Sequence, residues 1–369
     1  MSRENEVFSC AVAPWSVENP RHDHQLVFPL SDGRLMFVWC EYYLRRPSRV
    51  FDTPYMDSGR TNDDAPCRIS ARISKEGGRS WSAKLILQEN LGFDNVKHPN
   101  LIRLDSGEIL FTYTQRHMAN RNLSICLRRS HDECETWSEP QKISPDEGLH
   151  FTNADHIMRH SSGRIIQPAH SGAFYGKGDH WQAHCFYSDD EGQTWQQSRK
   201  KADLPERGAE EPAVIERKDG SLLAILRTSL GKLYRSTSVD RGETWSDPVS
   251  TGLDSPSVAT CMKRIPSTGD LLLIWNNSVP YALRREGSAE LHYPRNPLSC
   301  AVSSDDGETW RNIKDIENRK GYGNAYPSVT FVGDEAFVGY YANVRSGSVG
   351  IVSDVKLKIF PIEWFYSED

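Results

Sequence analysis

The 369-residue chain has no uninterrupted run of 18 apolar residues, so no stretch reads as a membrane-spanning helix. Its first ten residues, MSRENEVFSC, lack the apolar core of a secretory signal. The expectation is a cytoplasmic protein, or a secreted one whose signal lies outside this sequence. The eight cysteines (Cys10, Cys40, Cys67, Cys126, Cys134, Cys185, Cys261 and Cys300) contain no CxxC pair. That excludes ribbon-type zinc and dithiol redox motifs and leaves buried thiols as the expected state. Positive charge is not in excess either: 44 Lys and Arg face 50 Asp and Glu, for a formal net charge of -6. Neither a nucleic acid nor an anionic membrane is an expected partner. An amphipathic helix is also missing, and the apolar residues alternate with period two almost throughout.

What the chain does have is repetition. The stretch SDDEGQTW at 188–195 returns as SKEGGRSW (74–81), SHDECETW (130–137), SVDRGETW (238–245) and SSDDGETW (303–310). Asp and Gly at this spacing make a tight turn, because Asp bonds its own backbone and Gly tolerates positive φ. The tryptophan after the turn is a large apolar anchor. Glu76 stands for Asp in the first copy and Cys134 stands for Gly in the second.

A second repeat, strand–Gly turn–strand, lies between the first: LVFPLSDGRLMFVW (26–39), LIRLDSGEILFTY (101–113), IMRHSSGRIIQP (157–168), AVIERKDGSLLAIL (213–226), CMKRIPSTGDLLLIW (261–275) and SVTFVGDEAFVGYY (328–341). The sixth hairpin has no turn repeat after it. Length alone would suggest two domains, but a repeat of roughly 50 residues built of short strands is a four-stranded propeller blade. The expectation is one all-β domain over 1–369: a six-bladed β-propeller with five such turns, its last blade closed by strands from the two termini. The acidic clusters SDD and SSDD belong to the turns, so no metal and no cofactor is expected.

These turns resemble the Asp-boxes of the sialidase superfamily, and the resemblance runs from about Gln25 to Tyr341. In such a propeller, polar residues just before each inner strand converge on one pocket. Here they are Arg21 to His24, Lys97-His98, Asn153 to His156, Glu210-Glu211, Asp254 to Ser257, and Tyr326. EEPAVIERKDGSLLAILR resembles the family stretch with a catalytic Glu and a following Arg, which implies Glu211 and Arg227. PRNPLSCAVSSDDGETW implies a further arginine, Arg295, and GYGNAYPSVTF implies Tyr326 as a nucleophile. TNDDAPCRISARISKEGGRSW implies Asp64 as acid/base, with Asp63 as its rival, and MFVWCEYY implies Glu41 in substrate binding. Where the family carries Arg-Ile-Pro, this chain has RHDHQLVFPL. Asp23 or a flanking histidine takes the arginine's place, and Arg21 lies two residues earlier.

The chemistry so implied is coherent. Arginines pair bidentately with the carboxylate on a sialic acid's anomeric carbon. That charge repels a carboxylate nucleophile but not a tyrosine, which a nearby Glu can activate by taking the phenol proton. A separate Asp protonates the leaving oxygen. The expected activity is exo-hydrolysis of a terminal α-linked acidic sugar from a glycan or oligosaccharide. Tyr326, Glu211 and Asp64 would be catalytic; Arg227, Arg295, Arg21, His24, Glu41, His98, Asp155 and His170 would bind substrate. The histidine-rich ring also fits a uronate lyase with His98 or His170 as base, and the scaffold fits a non-catalytic carbohydrate-binding propeller. Two long stretches, 42–66 and 277–296, read as substrate-shaping loops.

Overall fold

The computed structural model describes residues 7–43, 63, 65–90, 95–117, 122–173, 178–278, 295–346 and 350–367. Asp64 and nearly all of the two long stretches lie outside these residues. The described strands group into six antiparallel units of four strands, the third with its inner strand split, which are the blades of a β-propeller; the parallel pairings Cys67–Asn95, Leu123–Leu149 and Arg21–Ser353 join the first, second, third and sixth edge to edge. Their inner strands are Arg21–Pro29, Asn95–Arg103, the split pair Leu149–Phe151 and Met158–Arg159, Glu210–Glu216, Cys261–Arg264 and Gly323–Val332. The outermost strand of the sixth blade is Phe8–Ala13, from the N-terminal side, paired with Gly350–Pro361.

Six apolar clusters seal successive blades. Leu26, Val38, Phe111 and Tyr113 join the first two, and Phe37, Trp39, Phe337 and Leu357 join the sixth to the first. Each sheet is therefore covered on both faces. That explains second strands such as Leu222–Arg227, LLAILR, which are buried along their whole length and do not alternate. The period-two expectation fails there because neither face meets water.

The repeated turns link the third and fourth strands of blades one to five. In the third blade Asp190 accepts from the Thr194 amide at 2.9 Å and its hydroxyl at 2.5 Å, while Ser188 Oγ accepts from the Gly192 amide at 2.8 Å. The same bonds recur at Asp132, Asp240 and Asp305. Cys134 adopts the positive φ of the missing glycine, at 70°, and Glu76 reaches Ser80 Oγ at 2.8 Å. Each turn's tryptophan packs on the cluster shared with the preceding blade, as Trp195 does between blades two and three. Between blades five and six, which have no such tryptophan, the short 3-10 helix Ile362–Phe365 supplies Ile362, Trp364 and Phe365. These turns are structural. Asp190→Ala is expected to lower stability by about 1 kcal/mol per lost bond with turnover unchanged, read by urea midpoint and initial rates; a folded variant that loses turnover would contradict this.

Candidate functional site

The site is built by one backbone device used repeatedly. Four inner strands carry the same one-residue bulge, where the ladder slips between Asp23 and Leu26, Lys97 and Asn100, Glu210 and Ala213, and Ala325 and Ser328. At each slip one residue takes a left-handed φ: His24 (47°), His98 (61°), Glu211 (42°) and Tyr326 (52°). Asp155 (61°) does the same in the break of the third inner strand. Such conformations cost a non-glycine residue about 1 kcal/mol or more. Bulges re-aim side chains, and these bring His24, His98, Glu211 and Tyr326 to neighbouring positions.

At the centre, Arg227 Nη1 donates to Glu211 Oε2 at 2.8 Å and to the Tyr326 hydroxyl at 3.2 Å. Its Nε donates to Ser257 Oγ at 3.1 Å, and Glu210 lies 3.7 Å from the same guanidinium. Arg295 lies over the Tyr326 ring, 5.3 Å from its centroid, and its Nη1 donates to the Tyr341 hydroxyl. Tyr326 thus has an arginine on its hydroxyl and another on its face. Among the described residues no hydrogen bond joins Glu211 to Tyr326 directly; Arg227 stands between them. Burial, and then the Glu211 carboxylate, push the Tyr326 phenol up, while Arg227 and Arg295 pull it down. Burial lifts Glu211, but Arg227, by charge and hydrogen bond, together with His170 and His24 holds that carboxyl low; Glu210 behind it is left raised by burial. The two adjacent carboxylates are therefore driven apart in acidity.

The first blade lines the other side. The His24 ring lies 4.2 Å from the Tyr326 ring and 4.4 Å from the His98 ring, centroid to centroid. His24 Nδ1 bonds Asp23 Oδ1 at 2.7 Å, and Arg21 Nε donates to Asp23 Oδ2 at 2.8 Å. Arg21 also donates to Asp63 Oδ1 at 2.8 Å and stacks 4.3 Å from the Tyr42 ring centroid. So Arg21 is engaged by Asp23, Asp63 and Tyr42, and the group it supports beside Tyr326 is His24. The ligand atoms of Asp23, His24 and Cys40 lie within 4.8 Å of one another. That grouping has metal-ligand chemistry, but its carboxylate already serves Arg21 and its imidazole already serves Asp23.

Other residues expected in the site lie elsewhere. Glu41 continues the face of Phe37 and Trp39 and bonds Arg68 at 2.7 Å and Lys84 at 2.6 Å. It lines a separate cavity of about 190 Å³ with His22, Trp39 and Arg72. Asp155 lies 3.1 Å from Lys263 Nζ and accepts from the Val329 amide at 3.1 Å, which ties blades three, five and six together. His170 accepts from the Glu211 amide at 3.3 Å and stacks on Phe151, 5.1 Å away, so it supports Glu211 from behind. Sequence reasoning placed Ser257 in the polar ring without a specific role, gave Tyr341 none, and gave His24 a substrate-binding role without its pairing to Asp23. The shared signal was present in KHPNL, EEPAV and AYPSV, where the bulged residue precedes a proline.

Several imidazoles are buried and poor bases. Burial holds His22 and His156 at about 4 and His170 at about 3. In the unfolded chain these groups take up protons near pH 6.5, whereas the folded protein resists until about pH 4. The unfolded state binds more protons in that window, so stability falls as pH drops through it. The urea midpoint is expected to decline steadily from about pH 7 to about pH 5; a flat midpoint would contradict the burial of these rings in neutral form.

The family described as BNR repeat-like domain matches residues 55–341. The chain is 24% identical over 228 residues to a sialidase of Paraclostridium sordellii, covering 54% of this chain and 55% of that protein. It spans about half or less of the length of the curated relatives it matches. Among solved structures, a protein of unknown function from Dyadobacter fermentans superposes with a TM-score of 0.73 at 19% identity, covering 96% of this chain and 99% of that one. An intramolecular trans-sialidase from Ruminococcus gnavus superposes with a TM-score of 0.69 at 13% identity, covering 96% and 97%.

Proposed function

The chain belongs to the BNR repeat-like family of the sialidase superfamily, and from that premise we propose that it is an exo-acting glycoside hydrolase with Tyr326 as its nucleophile. The substrate is a glycan or oligosaccharide ending in an α-linked acidic sugar, sialic acid or a related keto-sugar acid. The observation that carries this reading is the Arg227 bridge between Glu211 and the Tyr326 hydroxyl, with Arg295 over the same ring. Arg295 is held by phenol groups, so its charge is available to a substrate carboxylate. When that carboxylate also draws on Arg227, Glu211 is released from its ion pair and can accept the phenol proton. The tyrosine then attacks the anomeric carbon without the repulsion a carboxylate nucleophile would meet.

Elimination fits less well. It needs a base for the proton beside a uronate carboxylate. Burial pulls down both His98 and His170, and His170 Nδ1 is already occupied by the Glu211 amide. A non-catalytic binding site would have no use for a strained tyrosine in contact with two arginines.

The test is a panel of 4-methylumbelliferyl glycosides of sialic acid, other keto-sugar acids, uronic acids and neutral sugars. Release of the fluorophore from a keto-sugar acid supports the proposal. Release confined to neutral sugars, or formation of an unsaturated product from uronate polymers, would refute it.

A further inference from the structure

Against Tyr326 stands a second chemical unit that the reading above leaves idle. Asp23 is 1% exposed and His24 is 4% exposed. Arg21 fixes the Asp23 carboxylate through one oxygen, at 2.8 Å, and the other oxygen accepts from His24 Nδ1 at 2.7 Å. An ionised carboxylate only accepts, so the proton of this bond belongs to Nδ1. The tautomer and the ring plane are thereby set. Among the described residues Nε2 of His24 has no hydrogen-bond partner, and the ring is 4.2 Å from that of Tyr326. The strained bulge, with His24 at φ 47°, is what places it there.

Asp63, by contrast, is drawn aside: Arg21 holds its carboxylate, and Asn95, Lys97 and Arg116 all donate to its backbone carbonyl, at 2.9, 3.1 and 3.0 Å. Of the described candidates for the acid/base role, His24 is therefore the one whose ring lies against Tyr326.

We propose that His24, oriented by Asp23, is the acid and base on the glycosidic oxygen. This rests on the hydrolase reading given above. In the first step the Tyr326 oxygen bonds to the anomeric carbon and the phenol proton passes to Glu211. The bond to the leaving oxygen breaks and its electron pair stays on that oxygen; the reacting His24 is the imidazolium, whose Nε2 proton moves to that oxygen and leaves the neutral ring with its proton on Nδ1, held by Asp23. In the second step His24 Nε2 takes a proton from the incoming water, whose oxygen bonds to the anomeric carbon. The tyrosyl bond breaks with its pair on the phenol oxygen, which recovers the proton from Glu211. The sum is one water consumed and one glycosidic bond hydrolysed. Asp23 is a positioning residue, and Arg21 supports it.

The test uses aryl glycosides of the accepted sugar whose phenols range from good to poor leaving groups. It compares wild type with His24→Gln, Asp23→Asn and Asp64→Asn, each checked for folding by its urea midpoint. A lost proton donor harms poor leaving groups most. His24→Gln is expected to lose roughly 10²–10⁴-fold in kcat/KM on the poorest phenol and less than about tenfold on the best. Asp23→Asn, which keeps the shape, should show the same trend to a smaller degree, and Asp64→Asn should show none. An equal loss on all phenols in His24→Gln marks a structural role and overturns the proposal, as does the trend appearing in Asp64→Asn instead. If His24→Gln does not fold, Asp23→Asn decides: a steep trend supports the assignment and a flat one overturns it. Wild type inactive on every sugar removes the hydrolase reading and this assignment with it, an outcome distinct from an active wild type with unchanged variants.

Discussion

Tyr326→Phe is expected to lower kcat by at least about a thousandfold while leaving KM within a few-fold. The substitution removes one oxygen. The ring stays between Arg295, Tyr341 and His24, so the shape of the pocket is kept. What is lost is the nucleophile and one acceptor for Arg227 Nη1, which keeps Glu211 at 2.8 Å. Stability should therefore change by only about 1 kcal/mol. A kcat within tenfold of wild type, with the urea midpoint unchanged, would contradict the role given to this hydroxyl.

Arg227→Met is the second large effect, and it strikes folding as well as turnover. Arg227 is 9% exposed and neutralises Glu211, with Glu210 close behind. Removing the guanidinium leaves two buried carboxylates side by side, with Arg207 still 3.3 Å from Glu210. Breaking a buried pair on one side costs about 3–5 kcal/mol. The double variant Arg227→Met with Glu211→Gln should recover much of that loss, because the orphaned charge is gone, and should remain inactive. Arg227→Lys should fall between the two, since one ammonium cannot reproduce the forked contacts to Glu211, Tyr326 and Ser257. Urea midpoints with kcat/KM decide the matter. Full activity in the double variant would contradict the assignment.

The repeated turns made the blade architecture legible, because Ser, Asp, Thr and Trp each do one local job there: two cap the turn, one is bonded by the Asp, and the last packs between blades. The residues at the bulge were legible as types. His24, His98, Glu211 and Tyr326 stand at the same place in the inner strands of the first, second, fourth and sixth blades. Their geometry was not legible, since a residue before proline prefers extended backbone and His98, Glu211 and Tyr326 adopt positive φ there instead. Glu41 misled for a simpler reason. It follows Phe37 and Trp39 at period two, so it points toward the interface with the sixth blade. Asp155 misled because a charge before an inner strand serves equally well to tie blades together, as its bonds to Lys263 and Val329 do. The replacement of an arginine by Asp23 read as a gap in sequence. In the structure it is the anchor that orients His24.

The most direct test of the central claim is to trap the glycosyl-enzyme. A glycosyl fluoride of the accepted sugar, fluorinated beside the anomeric carbon, should form the intermediate faster than water can remove it. Intact-protein mass spectrometry should then show a gain of one glycosyl unit, and digestion should place it on the peptide carrying Tyr326. An adduct on a carboxylate, or none while the enzyme still turns over its substrate, would contradict the account.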